Sequence, residues 1–207
     1  ATCMNWRKLL LIVALILLIS IGGVLLYAFW PTTPDLAYLA APAGSHDVDI
    51  LRDEWGVPHV FGRTDADAAF GLAYAHAEDD FLTIQQILAA SRGQLGRYYG
   101  VDAAPNDYMV QLLRLWEVVD ANYETQLYAG THAVLDGYAA GLNHYAALHA
   151  EAALPGLFPV TGKDIAAGFL HKTPLFFGLD GVLTELFAAE RQRPLIPKQT
   201  AAIFDHN

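Results

Sequence analysis

The sequence predicts an α+β chain, mainly helical, behind a single transmembrane helix. Three observations carry this. Several long stretches repeat their apolar residues at steps of three and four, which is the period of an amphipathic helix. One pair of short runs alternates apolar and polar residues around a turn, and it is the sole strand signal of any strength. Residues 9–30 form an apolar run interrupted only by Ser20, Gly22 and Gly23. That length suffices to cross about 30 Å of hydrocarbon as a helix.

Taken in order, residues 1–8 read as a cytoplasmic stub, with Ala1-Thr2-Cys3 as a start-site remnant before Met4. Arg7 and Lys8 precede the apolar run and no acidic residue occurs before Asp35, so the positive-inside bias places the amino end in the cytoplasm and the rest outside it. A cleaved signal peptide is the competing reading. Against it stand the length of the run and its bulky Tyr27-Ala28-Phe29-Trp30 end, which lacks a small-residue cleavage site. Residues 9–30 are therefore expected to be a signal anchor. Residues 31–46, with three prolines and no amphipathic period, read as a linker. Residues 47–207 are expected to form one domain, large enough to bury a core.

Within that domain Val48, Ile50 and Arg52 alternate with Asp49, Leu51 and Asp53. Trp55-Gly56-Val57-Pro58 supplies a turn, and residues 57–61 return as a second strand. Thr64 and Asp67 have capping-box spacing. Phe70, Tyr74, Ala77, Phe81, Ile84 and Leu88 then form the stripe of one long helix that stops at Gly93. Further helices are predicted over residues 108–127, 131–148, 164–172 and 181–191, and Pro174 is expected to break or kink the chain between the last two.

Composition excludes several functions. From Pro31 onward 10 Lys and Arg face 22 Asp and Glu, which argues against nucleic acid or an anionic membrane surface as a partner. Cys3 is the one cysteine, so neither a disulfide within the chain nor a thiolate metal site can form. His76-Ala77-Glu78 lacks the Pro-Cys-x-x-Cys partner of a zinc deaminase and reads as core or capping. His144 and His149 are off one helical face and read as surface polar residues.

Residues 52–100 read RDEWGVPHVFGRTDADAAFGLAYAHAEDDFLTIQQILAASRGQLGRYYG. The order of parts, Arg-Asp-x-Trp-Gly-Val-Pro-His, then TDADAAFG-x-AYAHAEDD and a glycine-bounded SRGQL, resembles the start of the mature α chain in the penicillin acylase family. That family includes penicillin amidases, acyl-homoserine-lactone acylases and aculeacin-type acylases. A weaker resemblance lies in Leu154-Pro155 followed by Pro159-Val160-Thr161-Gly162-x-Asp164-Ile165. The resemblance implies a mainly helical α subunit of a heterodimeric N-terminal-nucleophile hydrolase, whose αββα sandwich is completed by a β chain cut from the same precursor. It implies hydrolysis of an N-acyl amide through an acyl-enzyme on the first serine of that β chain. Amide formation is possible on the same machinery.

The residues agree with a catalytic centre elsewhere. Ser20 lies in the apolar run, Ser45 in the linker and Ser91 at the end of the first domain helix, none in a Gly-x-Ser-x-Gly or Ser-x-x-Lys setting. No catalytic residue is expected in this chain. Arg52, Asp53 and His59 are expected to make structural hydrogen bonds or ion pairs. By resemblance Phe176, Phe177 and Leu179 line a pocket for a hydrophobic, preferably fatty, acyl group, and Glu185 is a candidate ligand of a structural calcium ion. His171-Lys172-Thr173-Pro174 departs from the Met and Arg of several relatives, which puts both the metal and a β-lactam type of pocket in doubt. No other cofactor is implied. The rival reading is a membrane-anchored, non-catalytic helical binding or scaffold protein.

Overall fold

The computed structural model describes residues 6–28, 34–42 and 44–188. The chain divides into two units, Ala1–Pro34 and Asp35–Asn207. In the first, α1 (Trp6–Ala28) is a 23-residue helix whose Leu, Ile and Val side chains over residues 9–25 are exposed. Among the described residues no helix is long and apolar enough to cross a membrane. The described side chains of α1 run unbroken only over residues 9–25, and the last two residues of the expected 9–30 span lie outside the described residues.

In the second unit, β1 (Val48–Arg52) and β2 (Pro58–Gly62) pair antiparallel, with Val48 opposite Gly62 and Ile50 opposite Val60. Asp53 makes the turn: its Oδ1 accepts the N–H groups of Trp55 and Val57, each at 2.9 Å. Val48, Ile50 and Val60 lean on Gly71 of α2 (Asp65–Ser91), where any side chain would collide with the two valines. The capping box forms as expected, since Thr64 Oγ1 accepts from Asp67 N–H while the Asp67 carboxylate accepts from Thr64 N–H. Gly93, at φ +65°, follows the helix end.

One expected helix is in fact two segments end to end. Asp80 leaves the helical region at φ −155°, ψ 69°, and its carboxylate accepts the N–H of Thr83 at 3.1 Å. Asp80 therefore caps a new start in the middle of α2. A similar break divides the helix predicted over residues 108–127 into α4 (Ala104–Leu112) and α5 (Leu115–Gln126), preceded by the short α3 (Leu95–Tyr99). Arg114 takes a left-handed φ of 51° at the junction. Leu112, Leu113, Leu115 and Trp116 are too dense for one stripe. The break lets Leu115 enter the core while Trp116 Nε1 donates to the Ser91 carbonyl at 3.0 Å.

α6 (Ala129–Leu148) crosses α2 at backbone contact, because Gly137 and Gly141 lie against the carbonyls of Ala66 and Phe70 with no room for a Cβ. The main core forms along this crossing from Ala73, Phe81, Leu88, Leu142 and Leu157, and a second cluster joins Val110, Leu115, Val119, Leu135 and Ala167. α7 (Gly162–Phe176) packs against α2, α5 and α6. Pro174 does not break it. A proline two residues before the end removes one N–H, and the chain turns later, at Gly178 with φ +83°. α8 (Leu179–Leu186) follows, ending before the predicted Arg191.

Half of the expected linker is packed. Leu36 is buried in the main core, the Ala41 N–H donates to His144 Nδ1 at 2.9 Å, and His46 stacks on Phe70 with ring centroids 4.2 Å apart. His144, read as a surface residue, is half-buried between this strap and α2.

Candidate functional site

The long loop between α6 and α7, residues 149–161, has one turn of 3₁₀ helix and otherwise no regular structure. Three side chains from the helices hold it. Gln85, buried in α2, donates to the Ala152 carbonyl at 3.0 Å and accepts the Leu154 N–H at 2.6 Å. Asn143, on α6, grips both backbone groups of Val160, at 2.7 and 2.8 Å. Arg92, at the C-terminal end of α2, reaches the carbonyls of Leu157 and Pro159 and meets Asp164 Oδ1 through Nε at 2.6 Å. The other oxygen of Asp164 accepts from the Thr161 N–H and hydroxyl, which caps α7. The pair is largely shielded, with side-chain exposures of 17% and 3%. These bonds fix where α7 starts and therefore where α7 and α8 present their side chains.

α7 separates two apolar grooves. One, of about 480 Å³, lies between α2, α6 and α7 and is walled by residues such as Leu72, Ile84, Ile87 and Ile165. The second, of about 370 Å³, lies between α5, α6 and α7, with Val118, Val119 and Leu170 in its wall. Phe169 and Leu135 belong to both. Several polar groups in these walls are satisfied within the chain: His76 Nδ1 and Tyr138 OH are 2.9 Å apart, and Asp164 is paired with Arg92. Tyr123 lies 3.5 Å from Asp136, and burial with that carboxylate pushes its phenol up to about 12.

A smaller cavity of about 310 Å³ is walled by Gln86, Ile87, Tyr99, His171 and Lys172. Asn106 donates through Nδ2 to the Ala90 carbonyl, so its oxygen faces His171 Nε2 at 2.7 Å and the imidazole donates from Nε2. Burial, followed by the charge of Lys172, holds the His171 pKa below its usual value.

The residues singled out in the sequence fall in several places. Phe176 and Phe177 lie at the α7–α8 junction, 85% and 87% exposed, and Leu179 is half-buried at the start of α8. Glu185 is half-buried on α8. Among the described residues no group of three His, Cys, Asp or Glu could hold a metal ion. Arg52 pairs with Glu78 at 3.0 Å and Asp79 at 2.9 Å, while His59 Nε2 lies 3.3 Å from Asp53. The first two contacts tie the hairpin to α2 and the third ties its second strand to its turn, the structural ion pairs expected. Ser91 is fully buried, its hydroxyl donating to the Leu88 carbonyl at 3.1 Å. Ser45 is exposed, and among the described residues no base is bonded to either. The clamp residues Gln85, Arg92 and Asn143 were not singled out from sequence. The available signal was a polar residue interrupting or flanking a buried stripe.

The sequence profile of penicillin amidase matches residues 47–189. The chain belongs to the penicillin amidase family. Within that family it is 28% identical over 176 residues to the acyl-homoserine lactone acylase PvdQ of Pseudomonas fluorescens (strain Pf0-1), covering 81% of this chain and 22% of the relative. It is 30% identical over 126 residues to the penicillin acylase 2 proenzyme of Pseudomonas sp. (strain SE83), covering 61% of this chain and 16% of the relative. The chain thus spans about a fifth or less of the length of these relatives. Among solved structures, a thermostable penicillin G acylase from Alcaligenes faecalis shares the fold. The TM-score is 0.52 at 17% identity, over 73% of this chain and 97% of the solved chain.

Proposed function

We propose that this chain is the α subunit of an autoprocessed N-acyl amide hydrolase of the penicillin amidase type. The observation that carries the proposal is a contrast of lengths. The chain corresponds to 22% of the PvdQ relative and 16% of a relative named as a proenzyme, yet to 97% of a chain in a solved penicillin G acylase. A precursor divided into a small and a large chain accounts for both figures. The chemistry is consistent with this, since the Ser91 hydroxyl is spent on the Leu88 carbonyl and His46, next to Ser45, is engaged with Asp67.

In this reading the first serine of the β chain attacks the amide carbonyl carbon and its own α-amine takes the hydroxyl proton. The amine product leaves with a proton, and water then hydrolyses the ester to a carboxylic acid. The α subunit supplies shape. Phe176, Phe177 and Leu179 are the proposed wall for a hydrophobic, preferably fatty, acyl group. Their support is the nearly complete exposure of both rings, apolar surface that is stabilised on burial by about 25 cal/mol per Å². Glu185 is proposed as one calcium ligand. A hard cation needs about six to eight oxygens, so the remaining ones would come from outside the described residues, and no catalytic step depends on the ion. The apolar run 9–30, with Arg7 and Lys8 before it, supports a membrane anchor with the domain on the periplasmic or extracellular side.

The test is purification of the full gene product through this chain, with intact masses, the amino-terminal sequence of any companion and an assay on N-acyl amides. A larger companion beginning with serine is expected, with amidase activity that disappears when that serine becomes alanine. A folded, monomeric, unaccompanied product without amidase activity would sink the proposal.

A further inference from the structure

The face formed by the two grooves has properties that neither a solvated surface nor a closed core explains. Phe169 stands between them, 70% exposed, although it belongs to the wall of both. Leu72, Val118 and Leu170 around it are 43%, 44% and 41% exposed. In a chain with a net charge of −10, just two charged residues line either groove, Asp164 and Lys172, and the first is neutralised by Arg92. His76 and Tyr138 satisfy each other. A largely apolar face with so few charged groups marks an interaction surface, and depletion of charge at its centre is the composition of a long-lived interface.

We infer that this face, centred on Phe169, is where the larger chain docks, with Phe169 as the ridge that the companion straddles and the two flanking grooves as receptors for its apolar side chains. The inference rests on the two-chain reading above. The occupant follows from length: in the relatives about four-fifths of the protein lies beyond the part this chain matches, and a partner of that size can cover both grooves together. The ridge also disfavours a single acyl chain as occupant, because it divides the apolar surface into two separate troughs. The docking face is thereby distinct from the Phe176–Phe177 junction proposed for the acyl group. One helix, α7, serves both through different positions.

The experiment uses the full gene product as it assembles. In the wild-type complex, hydroxyl-radical footprinting should leave Phe169 protected while Tyr38, 69% exposed and outside both grooves, is modified. F169D should reduce retention of the companion chain about tenfold or more, the effect expected of a central interface anchor. F187D, at a ring 48% exposed on neither groove, should retain it. Circular dichroism of the purified variants separates lost docking from lost folding, and footprinting decides the matter without any variant. A companion that is present while Phe169 is modified as readily as Tyr38, or that is retained by folded F169D, overturns the docking face and leaves the two-chain reading intact. Absence of any companion from the wild type overturns both.

Discussion

His144 shows how one side chain ties a segment expected to be a linker into the domain. Its Nδ1 accepts the Ala41 N–H, which only the unprotonated nitrogen can do, and burial together with the nearby His46 holds its pKa below the usual value. His171 is shifted the same way by burial and Lys172. The unfolded chain takes up these protons near the ordinary histidine value of about 6.5, while the folded chain resists. The unfolded state therefore binds more protons in the window below that value, and stability is lost as pH falls through it. Asp53, Asp67 and Asp80 are held low by hydrogen bonds, in first place from Val57, Thr64 and Thr83 respectively, so their contribution is lost only at more acidic pH. Denaturant midpoints between pH 7.5 and 5 should fall for the wild type and fall less for His144→Asn. An unchanged slope in the variant would remove His144 from this account. None of this was legible in the sequence, because a histidine at a half-polar helix position reads alike whether a strap covers it or not.

At the scale of elements, the crossing of α2 and α6 is set by what is missing from it. Gly137 and Gly141 bring α6 onto the carbonyls of Ala66 and Phe70, and Ala73, Ala77 and Ala139 keep the seam thin. Gly141→Ala places a methyl where the Phe70 carbonyl already sits. Overpacking of this kind costs about 1–3 kcal/mol, which exceeds the roughly 1 kcal/mol that alanine gains over glycine in a helix. Chemical denaturation should show net destabilisation, whereas the same change at Gly130, with open space around it, should be neutral or stabilising. The hairpin, the Thr64–Asp67 capping box and the stripes of α2 and α6 were legible, because each follows from local spacing. The breaks at Asp80 and Arg114 were not. The break at Arg114 lets Trp116 reach Ser91, and local periodicity does not report such distant contacts.

For the whole molecule, the division after Pro34 separates an exposed apolar helix from a domain whose strap is already folded against it at Leu36. If the anchor proposed for residues 9–30 is correct, the full gene product should sediment with membranes and need detergent, while a version of the same gene starting at Asp35 should remain in the supernatant with its helical signal intact. Recovery of the full product in the supernatant with residues 9–30 still present would sink the anchor. Family membership was legible from residues 52–100 because the order of motifs in that block resembles the start of the family's α chain. The grooves were not, since their walls come from α2, α5, α6 and α7 and only the packed fold brings them side by side.

The loop between Ala150 and Thr161 extends this dependence to evolution. Surface loops ordinarily tolerate insertion and deletion because closure entropy grows slowly with length. Here Gln85, Asn143 and Arg92 bind backbone groups at Ala152, Leu154, Leu157, Pro159 and Val160. An added or deleted residue would shift every later group off its donor or acceptor. This irregular stretch should therefore keep its length as strictly as a core helix does, while the sequence at its exposed positions, such as Glu151, drifts.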